Sequence, residues 1–178
     1  MIPGSLVVLT GASGSGKTAI ALEVERARPD LAVLRFDTIG VPSAEVMATF
    51  GAGHQPGGAW MRAMTLQWFE RIAAIVCNGR TGRSVLFEGQ MRIAFIKEAL
   101  EISGITDAHI ILVECDDCTR DDRLIRYRKQ PELANENMKG WSRYLHNEAV
   151  ESGVEILDTG SRALADSVAH VVGYLKFS

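Results

Sequence analysis

Gly11-Ala12-Ser13-Gly14-Ser15-Gly16-Lys17-Thr18 is the stretch that decides how this chain folds. Four apolar residues, Leu6-Val7-Val8-Leu9, precede it as a buried strand, and a helical pattern over 17–28 follows, stopped by Pro29. The stretch fits G-x-x-x-x-G-K-[ST], the Walker A pattern, in the strand-to-helix setting that pattern requires. Glycines let the backbone curl and aim several N–H groups inward, where a side chain would block the approach. The helix opening near Lys17 brings its positive dipole end to the same place. The expected occupant is a nucleotide phosphate. The backbone of Gly11, Ala12, Ser13, Gly14, Ser15 and Gly16 would cradle it, Lys17 would reach the β- and γ-phosphates, and Thr18 would ligate Mg²⁺.

Outward from this loop, short β-branched runs alternate with longer helical patterns. Strands are expected at 32–36, 84–87, 109–113 and 154–157. Helices are expected at 59–77, closed by Asn78-Gly79, and at 92–102, 120–129 and 138–151, the last ended by Gly153. A final helix carries Leu164, Val168, Val171 and Leu175 on one face. Near-continuous apolar strands separated by helices imply a parallel sheet covered on both faces. Right-handed crossovers then gather every strand's C-terminal end on one edge, where ligands bind.

That edge holds the other chemistry-bearing residues. Glu88 ends Val85-Leu86-Phe87, where a carboxylate holds Mg²⁺ through water, polarises a nucleophile, or simply caps or pairs. Asp37 ends Leu34-Arg35-Phe36, suited to a general base for an acceptor hydroxyl or to a helix cap. Arg120, Arg123, Arg126, Arg128 and Lys129 crowd ten residues. They read either as a clamp on transferring phosphates or as an exposed helix laced with Asp116, Asp117, Asp121 and Asp122. Glycines 51, 53, 57 and 58 surround His54 in a loop suited to cover an acceptor. Trp60 beside it lines that pocket or packs the core, and Trp68 and Phe69 belong to the core.

Composition bounds the partners. The chain has 178 residues, 47% of them hydrophobic, the size of one domain. Nineteen Lys and Arg against twenty-two Asp and Glu leave a net charge of −3, with no global field to hold nucleic acid or a membrane surface. No window offers the run of about 18 apolar residues that a membrane span needs. Three cysteines give no disulfide framework and fit a reducing cytoplasm. Cys115 and Cys118 form a C-x-x-C without a second ligand pair, read as incidental thiols ahead of a metal or redox pair.

Taken in order, these pieces resemble the P-loop kinases of the nucleoside-monophosphate-kinase-like group, which includes adenylate, shikimate and gluconate kinases and chloramphenicol phosphotransferase. The resemblance spans essentially the whole chain, and the Walker A match is its specific part. It implies a P-loop NTPase three-layer α/β sandwich, a central parallel sheet of about five strands with helices on both faces. One domain over 1–178 would carry a small helical lid at about 116–137. Phe87-Glu88-Gly89-Gln90-Met91-Arg92 looks like the strand-end segment of adenylate kinases, which implies that Arg92 anchors an acceptor phosphate. Glu in place of Asp at 88, and Gln90-Met91 in place of an aromatic and a proline, depart from that pattern. The arginine-rich segment resembles the lid of these kinases, implying nucleotide contact by Arg120 and catalytic roles for Arg123 and Arg128. Ile156-Leu157-Asp158-Thr159-Gly160 resembles the loop whose backbone meets adenine, which places Asp158, Thr159 and Gly160 at the base. No N-K-x-D guanine motif occurs, which favours ATP.

The implied activity is ATP- and Mg²⁺-dependent transfer of a γ-phosphoryl group to a hydroxyl or phosphate of a small-molecule acceptor. Two readings stand beside it: an ATP-binding, slowly hydrolysing regulator that recruits a protein, and a polynucleotide 5′-kinase. The sequence sets no oligomeric state.

Overall fold

The computed structural model describes residues 4–39, 45, 46, 49, 58–77 and 82–176. The glycine loop around His54 and the Asn78-Gly79 stop lie outside the described residues, apart from Gly58. Five parallel strands form one sheet: β1 (Leu6–Thr10), β2 (Ala32–Arg35), β3 (Val85–Glu88), β4 (Ala108–Glu114) and β5 (Glu155–Asp158), in the order β2-β3-β1-β4-β5. Six α-helices are seen among the described residues: α1 (Lys17–Ala27), α2 (Ala59–Val76), α3 (Ile93–Ser103), α4 (Asp117–Asp122), α5 (Glu136–Ser152) and α6 (Leu164–Val172).

The strands follow from the hydropathy pattern. β1 and β3 lie in the middle of the sheet and are buried at every residue, as an apolar run between two helical layers must be. Successive side chains point to opposite faces, so each strand feeds two cores. Leu6, Val8, Val85 and Phe87 pack with Trp68, Phe69 and Ile72 of α2 and Ile96 of α3. Val7, Leu9 and Leu86 pack with Ile20 and Val24 of α1 and Val171 of α6. Phe87 centres the first core, its ring 5.3 Å from Trp68 and 6.0 Å from Phe69. Each ring of this size removes enough apolar surface to be worth about 2–3 kcal/mol. Trp68 and Phe69 are core residues, as expected.

Helix ends are chemically marked. The Asn135 side chain accepts the Met138 N–H at 2.9 Å to start α5, two residues before the periodic pattern begins. The Asp116 carboxylate accepts the Thr119 N–H at 2.8 Å to start α4. β2 stops at Arg35, and Phe36 to Ile39 turn into a 3₁₀ turn, so Asp37 stands two residues past the strand. β3 separates β2 from β1, with Arg35 beside Glu88 and Leu9 beside Glu88 in register. The expected helix at 120–129 is short: α4 gives way to a π-helical turn, Arg123–Tyr127, and then to Lys129 in the left-handed region at φ 57°. No described helix is long and apolar enough to cross a membrane.

Candidate active site

The loop between β1 and α1 is wound tightly because its glycines accept what no other residue can. Gly11 has φ 151°, and a Cβ there would collide with the Val113 carbonyl of β4. Gly14 has φ 81°, and a Cβ there would lie 2.8 Å from Cγ of Arg120. Inside the curl, Lys17 is only 6% exposed, and its Nζ donates to the Ala12 carbonyl at 2.9 Å and to Ser15 Oγ at 3.3 Å. Burial pulls its pKa down to about 8, against the upward pull of Glu88 and Asp37 and with a further downward push from Arg128. These four charges therefore share one field, though their residues come from four different segments.

Glu88 closes the site opposite Lys17. Its Oε1 accepts from Thr18 Oγ1 at 3.1 Å, and the side chain is nearly buried. Two hard oxygen donors beside a phosphate loop suit Mg²⁺, which takes few protein ligands and fills the rest of its octahedron with water and phosphate oxygens. Among the described residues, no cluster of three His, Cys, Asp or Glu forms a dedicated metal cage. The following segment is tied to the loop: Ser13 Oγ donates to Gln90 Oε1 at 3.2 Å, and Thr10 Oγ1 accepts the Met91 N–H at 3.1 Å.

The arginines divide into three roles. Arg120 is 1% exposed, pairs with Asp117 and packs beneath Gly14. Arg123 fastens three elements: its Nη1 donates to Thr159 Oγ1 at 2.8 Å and to the Ser15 carbonyl at 3.3 Å, and its Nη2 to the Thr159 carbonyl at 2.8 Å. Thr159 Oγ1 in turn donates to the Ser15 carbonyl at 2.6 Å. Arg128, delivered by the π turn, faces the open space above Lys17. That space is a cavity of about 740 Å³ reaching from Gly14, Gly16, Lys17 and Thr18 to Arg162 and Leu164. Among the described residues, no carboxylate lines it.

Asp158, Gly160 and Arg92 do not line this cavity, and Trp60 takes the packing alternative of its two readings. Thr159 borders the cavity, whereas Asp158 and Gly160 line a separate groove with Glu114, Asp116 and His146. The Asp158 carboxylate accepts from Ser161 Oγ and the Gly160 N–H, which hold its pKa below the usual range. Arg92 is the N-cap of α3, and its Nη2 donates to Glu148 at 3.3 Å. Trp60 packs its ring edge-on to Phe36, 6.1 Å between centroids. Arg162, Tyr127 and Ser167, which no sequence pattern marks, line the cavity together with Leu164 from the face of the last helix. The rule that ligands gather at strand C-termini points to the loop after β5, and Arg162 lies in it. Cys115 is buried with its thiol pushed up by burial, and Cys118 is exposed.

The parallel sheet ordered β2-β3-β1-β4-β5, with this loop after β1, is a fold shared with solved structures of P-loop kinases. A gluconokinase from Sinorhizobium meliloti 1021 matches over 97% of this chain and 91% of its own, with a TM-score of 0.67 and 18% identity. A shikimate kinase from Acinetobacter baumannii, solved with shikimate, matches over 97% and 92%, with a TM-score of 0.62 and 17% identity. An APS kinase from Mycobacterium tuberculosis, solved with AMPPNP and APS, matches over 98% of each chain, with a TM-score of 0.54 and 18% identity. The likeness is one of fold. No protein-family model and no curated protein matches the sequence.

Proposed function

We propose that this protein is an ATP-dependent phosphotransferase that moves the γ-phosphoryl group to a small-molecule acceptor. The observation that carries the reading is a buried Lys17 inside the glycine loop, sharing one field with Glu88, Asp37 and Arg128 beside a cavity lined by arginines. Kinase fold neighbours support it.

The loop amides and Lys17 would hold the β- and γ-phosphates, and the nucleotide would trade the Lys17 contacts to Ala12 and Ser15 for phosphate oxygens. Thr18 and Glu88 would hold Mg²⁺, which supplies charge neutralisation at the phosphate oxygens. Asp37 would accept the proton of the acceptor hydroxyl as its oxygen bonds to the γ-phosphorus and the bridging P–O bond to ADP breaks. Arg128 would steady the negative charge that spreads over the transferring group. Arg123 would act through the loop, keeping the Ser15 and Thr159 carbonyls in place.

The test is direct: incubate the protein with Mg-ATP and a metabolite panel and measure ADP release. Acceptor-stimulated release that Lys17→Met abolishes supports the proposal, and release unaffected by Lys17→Met overturns it.

A further inference from the structure

The cavity above Lys17 carries no fixed reader for the edge of a nucleobase. This inference rests on the phosphotransferase reading and deepens it, since it concerns what the same site accepts as phosphoryl donor. Four cations, four hydroxyl side chains and two apolar ones surround the cavity, together with Gly14 and Gly16. No Asp, Glu, Asn or Gln among the described residues lines it. Those are the side chains whose acceptor oxygens sit in fixed places. Adenine presents an N6 amine where guanine presents the O6 carbonyl, and guanine adds an N2 amine. A carboxylate would single out guanine, and a side-chain amide would single out adenine. A hydroxyl does neither, because it turns to donate or to accept as its partner requires.

Main-chain groups of the loop after β5 are committed within the protein. The Thr159 N–H donates to the Glu114 carbonyl at 2.8 Å, and the Thr159 carbonyl accepts Arg123 Nη2 at 2.8 Å. The Gly160 N–H donates to Asp158 Oδ1 at 2.8 Å, and both residues line the separate groove. The Ala163 carbonyl accepts the Ser167 N–H at 3.1 Å and the Ser167 hydroxyl at 3.2 Å. Among the hydroxyls, Thr159 Oγ1 is held between Arg123 and the Ser15 carbonyl, and Ser167 is fully buried.

What the cavity offers a base is therefore a surface. Arg162 borders it and has no hydrogen bond or ion pair among the described residues. Tyr127 and Leu164, both exposed, border it as well. A guanidinium plane and a phenol ring stack on the π-face of either purine. The guanidinium also donates to N7, which adenine and guanine share.

We infer that the donor site accepts adenine and guanine nucleotides alike, holding the base by stacking and packing, with Arg162 as its principal support. A site built to hydrogen-bond a distinguishing group rejects the analogue that lacks it by orders of magnitude, whereas a packing surface discriminates weakly. ATP and GTP then react in the same way. The acceptor oxygen gives its proton to Asp37 and bonds to the γ-phosphorus, the bridging P–O bond breaks, and ADP or GDP leaves with the electron pair.

Titration calorimetry with Mg-ADP, Mg-GDP and magnesium pyrophosphate tests this on wild-type protein without an acceptor. The expected Kd values for the two nucleotides lie within about threefold of each other, with pyrophosphate at least about tenfold weaker than either. Arg162→Ala should weaken both nucleotides by about tenfold and leave pyrophosphate within about twofold of wild type. A preference of about tenfold or more for either purine overturns the inference, and so does pyrophosphate binding as tightly as the nucleotides. Unequal losses of ADP and GDP in Arg162→Ala overturn it too. The wild-type ratio decides by itself where the Arg162→Ala chain does not fold. Binding of neither nucleotide overturns the inference together with the phosphotransferase reading, whereas a purine preference overturns the inference alone.

Discussion

Replacing Lys17 with methionine should make the unliganded protein more stable and the liganded protein less so. Burial moves the Lys17 pKa from the ordinary 10.5 to about 8, a gap equivalent to about 3 kcal/mol against the charged form at neutral pH. Methionine fills the same volume without charge, and it gives up the donations to Ala12 and Ser15, worth roughly 0.5–1.5 kcal/mol each. The balance is a gain of about 1 kcal/mol, or about 2–4 °C in Tm for a chain of this size. Bound nucleotide reverses the order, since Mg-ATP at a hundredfold over its Kd adds about 2.7 kcal/mol to wild type alone. The pH dependence follows in sign. Below about 8 both the folded and unfolded chains keep the Lys17 proton, and the penalty is present in full. Between about 8 and 10.5 the unfolded chain holds more protons, so raising the pH stabilises wild type relative to Lys17→Met. The assay is calorimetric melting of both proteins at pH 7 and pH 10, with and without Mg-ATP. If unliganded Lys17→Met melts below wild type at pH 7, the buried charge is compensated and the account of the loop is wrong.

Other substitutions probe the remaining parts. Asp37→Asn should keep the Mg-ATP melting shift and lower turnover by at least about a hundredfold, read by coupled ADP release; equal loss of both assigns Asp37 to folding alone. Arg123→Ala should lower stability by about 1–3 kcal/mol and weaken ATP binding, both measurable by urea melts and titration calorimetry, because it strips donors from the Gly14, Ser15 and Thr159 carbonyls. Gly11→Ala should cost about 3 kcal/mol or more, seen as loss of soluble protein or a large fall in Tm, because the new Cβ meets backbone rather than a movable side chain. Glu88→Gln should keep the Thr18 hydrogen bond and raise the Mg²⁺ concentration needed for half-maximal turnover by about tenfold.

The sheet was legible because buried parallel strands advertise themselves: Leu6-Val7-Val8-Leu9 and Val85-Leu86-Phe87 carry no polar residue to interrupt them. The phosphate loop was legible because its glycines answer to local backbone geometry, which sequence encodes directly. Arg123 was less transparent. Besides the Thr159 hydroxyl, its partners are main-chain carbonyls such as those of Ser15 and Thr159, 108 and 36 positions away, and carbonyls are present at every residue, so little in the side-chain pattern marks the ones it meets. Arg92 illustrates the same limit, since Glu148 lies 56 positions away and only the packing of α5 against α3 brings them together. The helix expected at 120–129 broke its span at the π turn, a departure from regular hydrogen bonding that helix propensity does not register.

The clasp formed by Arg123 and Thr159 ties the π turn, the β5 loop and the glycine loop into one fastened unit. Among the described residues, the stretch between β2 and α2 contributes nothing to that clasp. Within such an arrangement the glycine loop, the β5 loop and the π turn behave as one fixed chassis. A single change at Thr159 therefore loosens three parts of the fold at once.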